Sequence, residues 1–514
     1  MEKKPNIILV FADDLGWGDV SAVSAESKIR TEHIDKIAEE GLVLSDCHAT
    51  SALCTPSRYA LLTGRYNWRS RLKSSVLPGH SFHLIEEGRM TLASMLKDQG
   101  YRTACVGKWH LGMDWATKGD YEQPATYHED GAETELIPDG IDFTKAYKNG
   151  PNAYGFDYFY GMPASLDQPP FIHLENDRAL TRPSEMIGVK NLARYNASQM
   201  FDVEYGPAEP GYDPQKIVPE MDEKVLSLVR DYAEQKEPFF IYYPTPAVHG
   251  PIVPSEDYVN RSGLNAYADF VLQVDGFMGR LDALLDEKGI KEDTILIFTS
   301  DNGCSPVADF PALIAKGHNP SAVFRGLKGD IWEGGHRIPF IVRWPGKIKA
   351  GRRAADLASL SDLFATFAEI SGAEYGDDAG EDSISMLPIW QGKEGLRKDL
   401  IQHSAQGMYA LRKGAWKMEF TPTSGGFSDF QAAEEGRYPD PEKLPRYQLY
   451  NLEGDITERT NLYGRHPEIE KELLELTADY IRKGRSTPGA PQKNTANPIW
   501  PGLEFMEEND EPEV

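Results

Sequence analysis

Residues 6–12, Asn-Ile-Ile-Leu-Val-Phe-Ala, form an apolar, β-branched run that two aspartates, Asp13 and Asp14, interrupt. A run of this length and composition reads as a buried strand. Similar runs recur at "YRTACVG" (101–107), "PFFIYY" (238–243), "TILIFTS" (294–300) and "IPFIVRW" (338–344). Amphipathic stretches separate them: "TEHIDKIAEEG" with Thr31 as N-cap and Gly41 as stop, "TLASMLKDQG", a helix around 220–235, and one from about 265 to 288. Strand and helix in repetition predict an α/β fold, a large, mostly parallel sheet sandwiched by helices.

The Gly-, Pro-, Tyr- and Asp-rich region 115–215 lacks periodicity and is expected to form long loops over one end of that sheet. A helix at 360–372 precedes the polar "AEYGDDAGEDS", which marks a boundary. The expected domains are a catalytic α/β unit over 1–375, a smaller α+β unit over 376–500, and an acidic, disordered tail over 501–514. In the second unit "LRKGAWKMEF" and "YQLYNLEGD" predict a short antiparallel sheet, followed by a helix near 467–483.

The 514-residue chain carries a net charge of −26, which excludes nucleic acid and anionic membrane as partners, since both are bound through lysine and arginine excess. No segment approaches the ~18 apolar residues needed to span a bilayer. The opening "MEKKPNIILVFADD" has no cleavage site and reads as a strand rather than an export signal. Cys47, Cys54, Cys105 and Cys304 lack zinc-ribbon or disulfide-framework spacing. Reduced thiols and no signal peptide make a cytoplasmic location the expectation.

In an open α/β sheet, ligands bind beyond the carboxyl ends of the strands. Asp13 and Asp14 follow the first strand; Asp301 and Asn302 follow "TILIFTS". Four hard oxygen donors at two strand ends suit Ca²⁺, or Mg²⁺, better than zinc. Lys108 and His110 follow "YRTACVG", His249 follows "PFFIYY", and Lys328 lies among glycines in "FRGLKGDIWEGG". Cations beside a divalent metal describe an anion site. In "SALCTPSRYALLTGR", Pro56 suits a first helical turn, so Cys54 and Arg58 share one face at the positive end of the helix dipole. A thiolate phosphatase loop has five residues between Cys and Arg; here that spacing reaches Ala60.

The pattern resembles the sulfatase family of the alkaline phosphatase superfamily. The signature Cys-x-Pro-x-Arg stands as "CTPSR" followed by "LLTGR", and "DDLGWGD", "GKWHLG", "SDNG" and the "K…EGG…P…WPG" run match in the family's order. The segment "GMPASLDQ" resembles the one that offers a serine, here Ser165; the likeness spans most of 5–370 and continues more loosely through "YQLYNLEGDITERTNL". The resemblance implies hydrolysis of a sulfate monoester through formylglycine (3-oxoalanine) made from Cys54 by a formylglycine-generating or anaerobic sulfatase-maturating enzyme. A thiolate would leave an adduct with no easy exit, whereas a hydrated aldehyde has one hydroxyl to attack sulfur and a second to drive elimination. The resemblance also implies Asp13, Asp14, Asp301, Asn302 and the modified Cys54 around the metal, Arg58 on the formylglycine, Lys108 and Lys328 on sulfate oxygens, His249 as acid, His110 as base and Ser165 in support. Trp68, His80, Phe171 and His173 are expected on the pocket rim and favour a sulfated carbohydrate. Two readings stay beside this one: a phosphonate monoester or phosphodiester hydrolase, and a non-catalytic anion-binding protein with unmodified Cys54.

Overall fold

A computed structural model describes residues 3–119, 140–188, 203–496 and 502–508. Its main sheet contains β1 (Asn6–Ala12), β2 (Leu42–Leu44), β3 (Arg102–Lys108), β4 (Tyr158–Met162), β5 (Leu174–Glu175), β6 (Arg178–Ala179), β7 (Phe239–Pro244), β8 (Thr294–Ser300), β9 (Phe340–Arg343) and β10 (Arg352–Ala354). The spatial order is β10-β2-β9-β8-β1-β7-β3-β4-β5-β6. From β8 to β4 the five central strands run parallel, so their carboxyl ends lie along one edge. The expected parallel sheet is present at its centre, while β9 runs antiparallel to both β8 and β2.

Side chains of β1 alternate between two cores. Ile8, Val10 and Ala12 pack with residues of α1 (Glu32–Glu39), α4 (Pro214–Ala233) and α5 (Ala266–Glu287). Ile7, Leu9 and Phe11 pack with α2 (Cys54–Thr63), α3 (Leu92–Asp98) and α6 (Asp362–Ser371). This period of two on a strand covered on both faces is why the run is apolar throughout. α4 begins at Pro214, ahead of its expected start near 220, because Asp213 caps it and Pro214 suits the first turn.

The region 115–215 is not all loop. β4 extends the parallel sheet, and it can do so because two glycines face each other: a Cβ on Gly161 would meet the Gly107 carbonyl oxygen at 1.9 Å. Of the residues expected on the pocket rim, Trp68 and Phe171 are core, both 0% exposed. Trp68 stacks on Tyr66 with Arg69 over its ring, and Phe171 packs on Tyr212. Large aromatic surfaces gain more from burial than from lining a polar mouth.

A second, antiparallel sheet is formed by β11 (Asp399–His403), β12 (Tyr409–Lys413), β13 (Trp416–Glu419) and β14 (Gln448–Asn451), covered by α8 (Pro467–Lys483), with α7 (Phe427–Glu434) in the β13–β14 connection. Ala379, Met386, Ile389 and Trp390 belong to the core of the large sheet, so the change of core falls close to β11 rather than at 375. The acidic tail departs from the disorder expected of it over 502–508. Residues 505–508 are helical, and Leu503, Phe505 and Met506 are buried against the small sheet's core, the apolar side chains outweighing their acidic neighbours. Residues 509–514 lie outside the described residues. Among the described residues no helix is long and apolar enough to cross a membrane.

Candidate active site

Every candidate residue lies at the carboxyl edge of the central strands or on an element packed over it. β1 and β8 are paired through Ala12 and Ser300, which brings Asp13 and Asp301 side by side. The Asp13 and Ala247–Val248 backbones exchange hydrogen bonds of 2.8 Å, fixing the loop that carries His249 against the end of β1. Lys108 ends β3, and Ser165 follows β4. Asp14 and His110 take φ of 61° and 55°, left-handed conformations that turn the chain sharply after the strand.

Cys54 opens α2 with Arg58 one turn later, both buried, and no side chain caps the helix. The helix N–H groups at this end stay available to an anion. Cys54 Sγ lies 3.5 Å from Asp13 Oδ1. Burial and the Asp13 carboxylate raise the thiol well above its ordinary value.

Three cations meet three carboxylates. Arg58 Nη2 donates to Asp301 Oδ2 at 2.7 Å and lies 3.4 Å from Asp13. Lys108 Nζ donates to Asp13 Oδ2 at 2.6 Å and to Ser165 Oγ at 3.2 Å. Lys328 Nζ lies 2.8 Å from both oxygens of Asp14. Against the cost of burial, Lys108 and Arg58 hold the Asp13 carboxyl well below the usual carboxylate range. Burial and the neighbouring Asp13 instead raise Asp301 to about 6 despite Arg58, which leaves this carboxyl under-compensated by the protein's own cations.

That deficit fits a cation. Ligand atoms of Asp13, Asp14, Cys54 and His249 all lie within 4.8 Å of one another. Asn302 donates through Nδ2 to Asp14 Oδ1 at 2.8 Å, and its Oδ1 is buried without a hydrogen-bond partner. Asp301 Oδ1 accepts from the Asp14 N–H at 3.1 Å, holding the two strand ends together. An orphaned amide oxygen among carboxylates is the donor chemistry of a hard divalent ion.

Backbone carbonyls fix where one ring proton sits on each histidine. His249 Nδ1 is 2.6 Å from the Gly250 carbonyl oxygen and so carries a proton, leaving Nε2 toward Asp14 at 3.5 Å. His110 Nε2 donates to the Leu77 carbonyl at 2.8 Å, and its Nδ1 is buried without a partner. Burial, with Lys108 and Arg58 adding, pushes His110 well below its ordinary value and keeps the ring neutral. Asp167, two residues beyond Ser165 in the same segment, places Oδ1 3.7 Å from His249 Nδ1. Sequence reasoning passed over it because nothing in the chain ties 167 to 249. Of the two other histidines expected on the rim, His173 pairs with Glu209 at 2.6 Å, and His80 is buried.

The sulfatase family model matches residues 5–373. An N-acetylgalactosamine-6-O-sulfatase of Bacteroides thetaiotaomicron is 34% identical over 507 residues, covering 92% of each chain. Arylsulfatase A of Bos taurus is 31% identical over 482 residues, covering 92% of this chain and 86% of its own. A solved structure from work on metabolism of multiple glycosaminoglycans by Bacteroides thetaiotaomicron superposes with a TM-score of 0.79 at 32% identity, covering 93% of this chain and 99% of its own. A Pseudoalteromonas sulfatase structure does so at 0.67 and 25% identity, covering 95% and 92%. With the sulfatase model matching most of its length and relatives of this similarity along nearly all of it, the chain belongs to the sulfatase family and is a sulfuric ester hydrolase.

Proposed function

We propose that the chain hydrolyses a sulfate monoester of a carbohydrate, using formylglycine made from Cys54 and a Ca²⁺ or Mg²⁺ ion. The observation that carries this reading is Cys54 at an uncapped helix start, among Arg58, Lys108 and Lys328 and beside the Asp13–Asp14 carboxylates. When bound, the hydrated aldehyde would supply two geminal hydroxyls and the divalent ion positive charge opposite the sulfate oxygens. Asp13, Asp14, Asp301 and Asn302 would hold the ion.

The remaining steps belong to side chains of known placement. Lys108 and Lys328 neutralise sulfate oxygens, and both are held by carboxylates that keep them charged in a buried site. Arg58 aligns the nucleophile from the next turn of the same helix. His249, with its Nδ1–H engaged by Gly250, acts as the acid in its imidazolium form, where a second proton on Nε2, the nitrogen facing Asp14, passes to the leaving oxygen. His110, with Nε2–H engaged by Leu77, offers the bare Nδ1 as the base for elimination. Ser165 links Lys108 to His249 at 3.2 Å each.

The carbohydrate assignment rests on the relative that is an N-acetylgalactosamine-6-O-sulfatase. A panel of regiodefined sulfated sugars, galactosamine 6-sulfates included, tests it: turnover of aryl sulfates only would reject it. Prolonged chelation is expected to abolish activity, with Ca²⁺ or Mg²⁺ restoring it better than Zn²⁺ because the donors are hard oxygens. Full activity after EDTA would remove the metal from the reading. His249→Ala is expected to slow sugar and alkyl sulfates about 10²–10⁴-fold while sparing nitrophenyl sulfate, whose leaving group needs little protonation. Equal losses on both would take the acid role from His249.

A further inference from the structure

Lys328 sits on a short loop, and much of what fixes that loop belongs to the smaller lobe. Gly326 and Gly329 take φ of 83° and 87°, and between them the Lys328 N–H donates to the Cys304 carbonyl at 2.9 Å. The Gly329 N–H donates to the Ala52 carbonyl at 2.8 Å, two residues before Cys54. The other ties run to the small-sheet lobe: the Ala405 N–H donates to the Gly329 carbonyl and the Ile331 N–H to the Ser424 carbonyl, both at 2.8 Å. Gly426 approaches so closely that a Cβ there would meet the Gly329 carbonyl oxygen at 2.2 Å.

Asp330 is the side chain that joins the two. It is 0% exposed. Its Oδ2 accepts from the Leu327 N–H at 3.0 Å and from Ser428 Oγ at 2.5 Å, and its Oδ1 accepts from the Ser428 N–H at 2.9 Å. One bond therefore closes the loop on the residue before Lys328, and two anchor it to α7 of the smaller lobe. Burying a carboxylate among neutral donors is costly, and directed bonds of this kind fix geometry where packing alone would not.

We infer that Asp330 is a positioning residue for the sulfate site, clamped by Ser428, and that through it the smaller lobe sets where Lys328 Nζ stands relative to Asp14 and the substrate. The inference rests on the reading of Lys328 as a sulfate ligand. Its alternative is that Asp330 only fastens the two lobes together.

A double-mutant cycle separates these. Lys328→Ala, Asp330→Ala, Ser428→Ala and the two doubles with Lys328→Ala would be assayed on nitrophenyl sulfate, with inhibition by inorganic sulfate and thermal melting measured for the folded full-length singles. Asp330→Ala is expected to lower kcat/KM and weaken sulfate inhibition about tenfold, and Ser428→Ala about threefold. In the Lys328→Ala background either change should cost less than about twofold, because its route to the substrate is gone. Ser428→Ala removes a single hydroxyl and keeps the test open should Asp330→Ala not fold. Lower melting temperatures with unchanged sulfate inhibition, or losses that multiply in the Lys328→Ala background, would overturn the inference and leave Lys328 in its role. Unimpaired Lys328→Ala would instead reject that role, and the inference with it.

Discussion

Cys54→Ser, produced in a host that does not oxidise the new serine, is expected to release at most about one equivalent of alcohol per enzyme and then stop, as covalent catalysis halted at its intermediate does. The serine hydroxyl would stand where Cys54 Sγ does, at the start of α2 with Arg58 one turn along and Asp13 beside it. It can be aligned on sulfur by the groups that serve the modified residue. It has no second hydroxyl for His110 Nδ1 to deprotonate, so the sulfate stays on the serine, and intact mass of the peptide carrying residue 54 reads it directly. The unmodified cysteine form should not turn over either, since a thiol, like the serine, brings no second hydroxyl for His110 to deprotonate. Sustained turnover by the serine variant would sink the two-hydroxyl mechanism.

Arg58→Ala should cost both folding stability and activity. Arg58 is fully buried, donates to Asp301 at 2.7 Å and to the Lys108 carbonyl at 3.2 Å, and lies 3.4 Å from Asp13. Its removal leaves Asp301, already pushed up by burial, without its closest cation. Breaking a buried pair in this way costs about 3–5 kcal/mol, and losing a preorganised cation costs about 10²–10³-fold in rate. Denaturant unfolding and kcat/KM on one preparation would check both. An unchanged unfolding midpoint would mean that Asp301 finds its compensation elsewhere and that Arg58 is not the cation that balances the buried carboxylates.

Much of the fold was legible in the chain because a strand covered on both faces must be apolar throughout. The runs at 6–12, 238–243 and 294–300 therefore announce themselves, as does the site chemistry that follows each one. The start of α2 was legible for a different reason: a proline in the first turn and residues four apart are properties of local geometry. β4 was hidden because its place depends on Gly161 meeting Gly107, a contact between segments whose local patterns say nothing of each other. Trp68 and Phe171 looked like rim residues because burial is set by every element that packs over a position, which no window of sequence contains.

The same limit applies inside the site. Residue types at 13, 14, 54, 58, 108, 110, 249, 301, 302 and 328 state which chemistry is available, and the chain alone determined that much. Which carboxylate each cation takes, which nitrogen of His110 is bare and which of His249 faces Asp14, and that Asp330 joins the Leu327 N–H to Ser428 were decided only by the tertiary structure. Lys328 and Asp14 are 314 residues apart in the chain and 2.8 Å apart in space. Sheet, helices and loop together bring the two within reach, and the buried, water-poor surroundings make the pairing strong, so no local stretch of sequence could announce it.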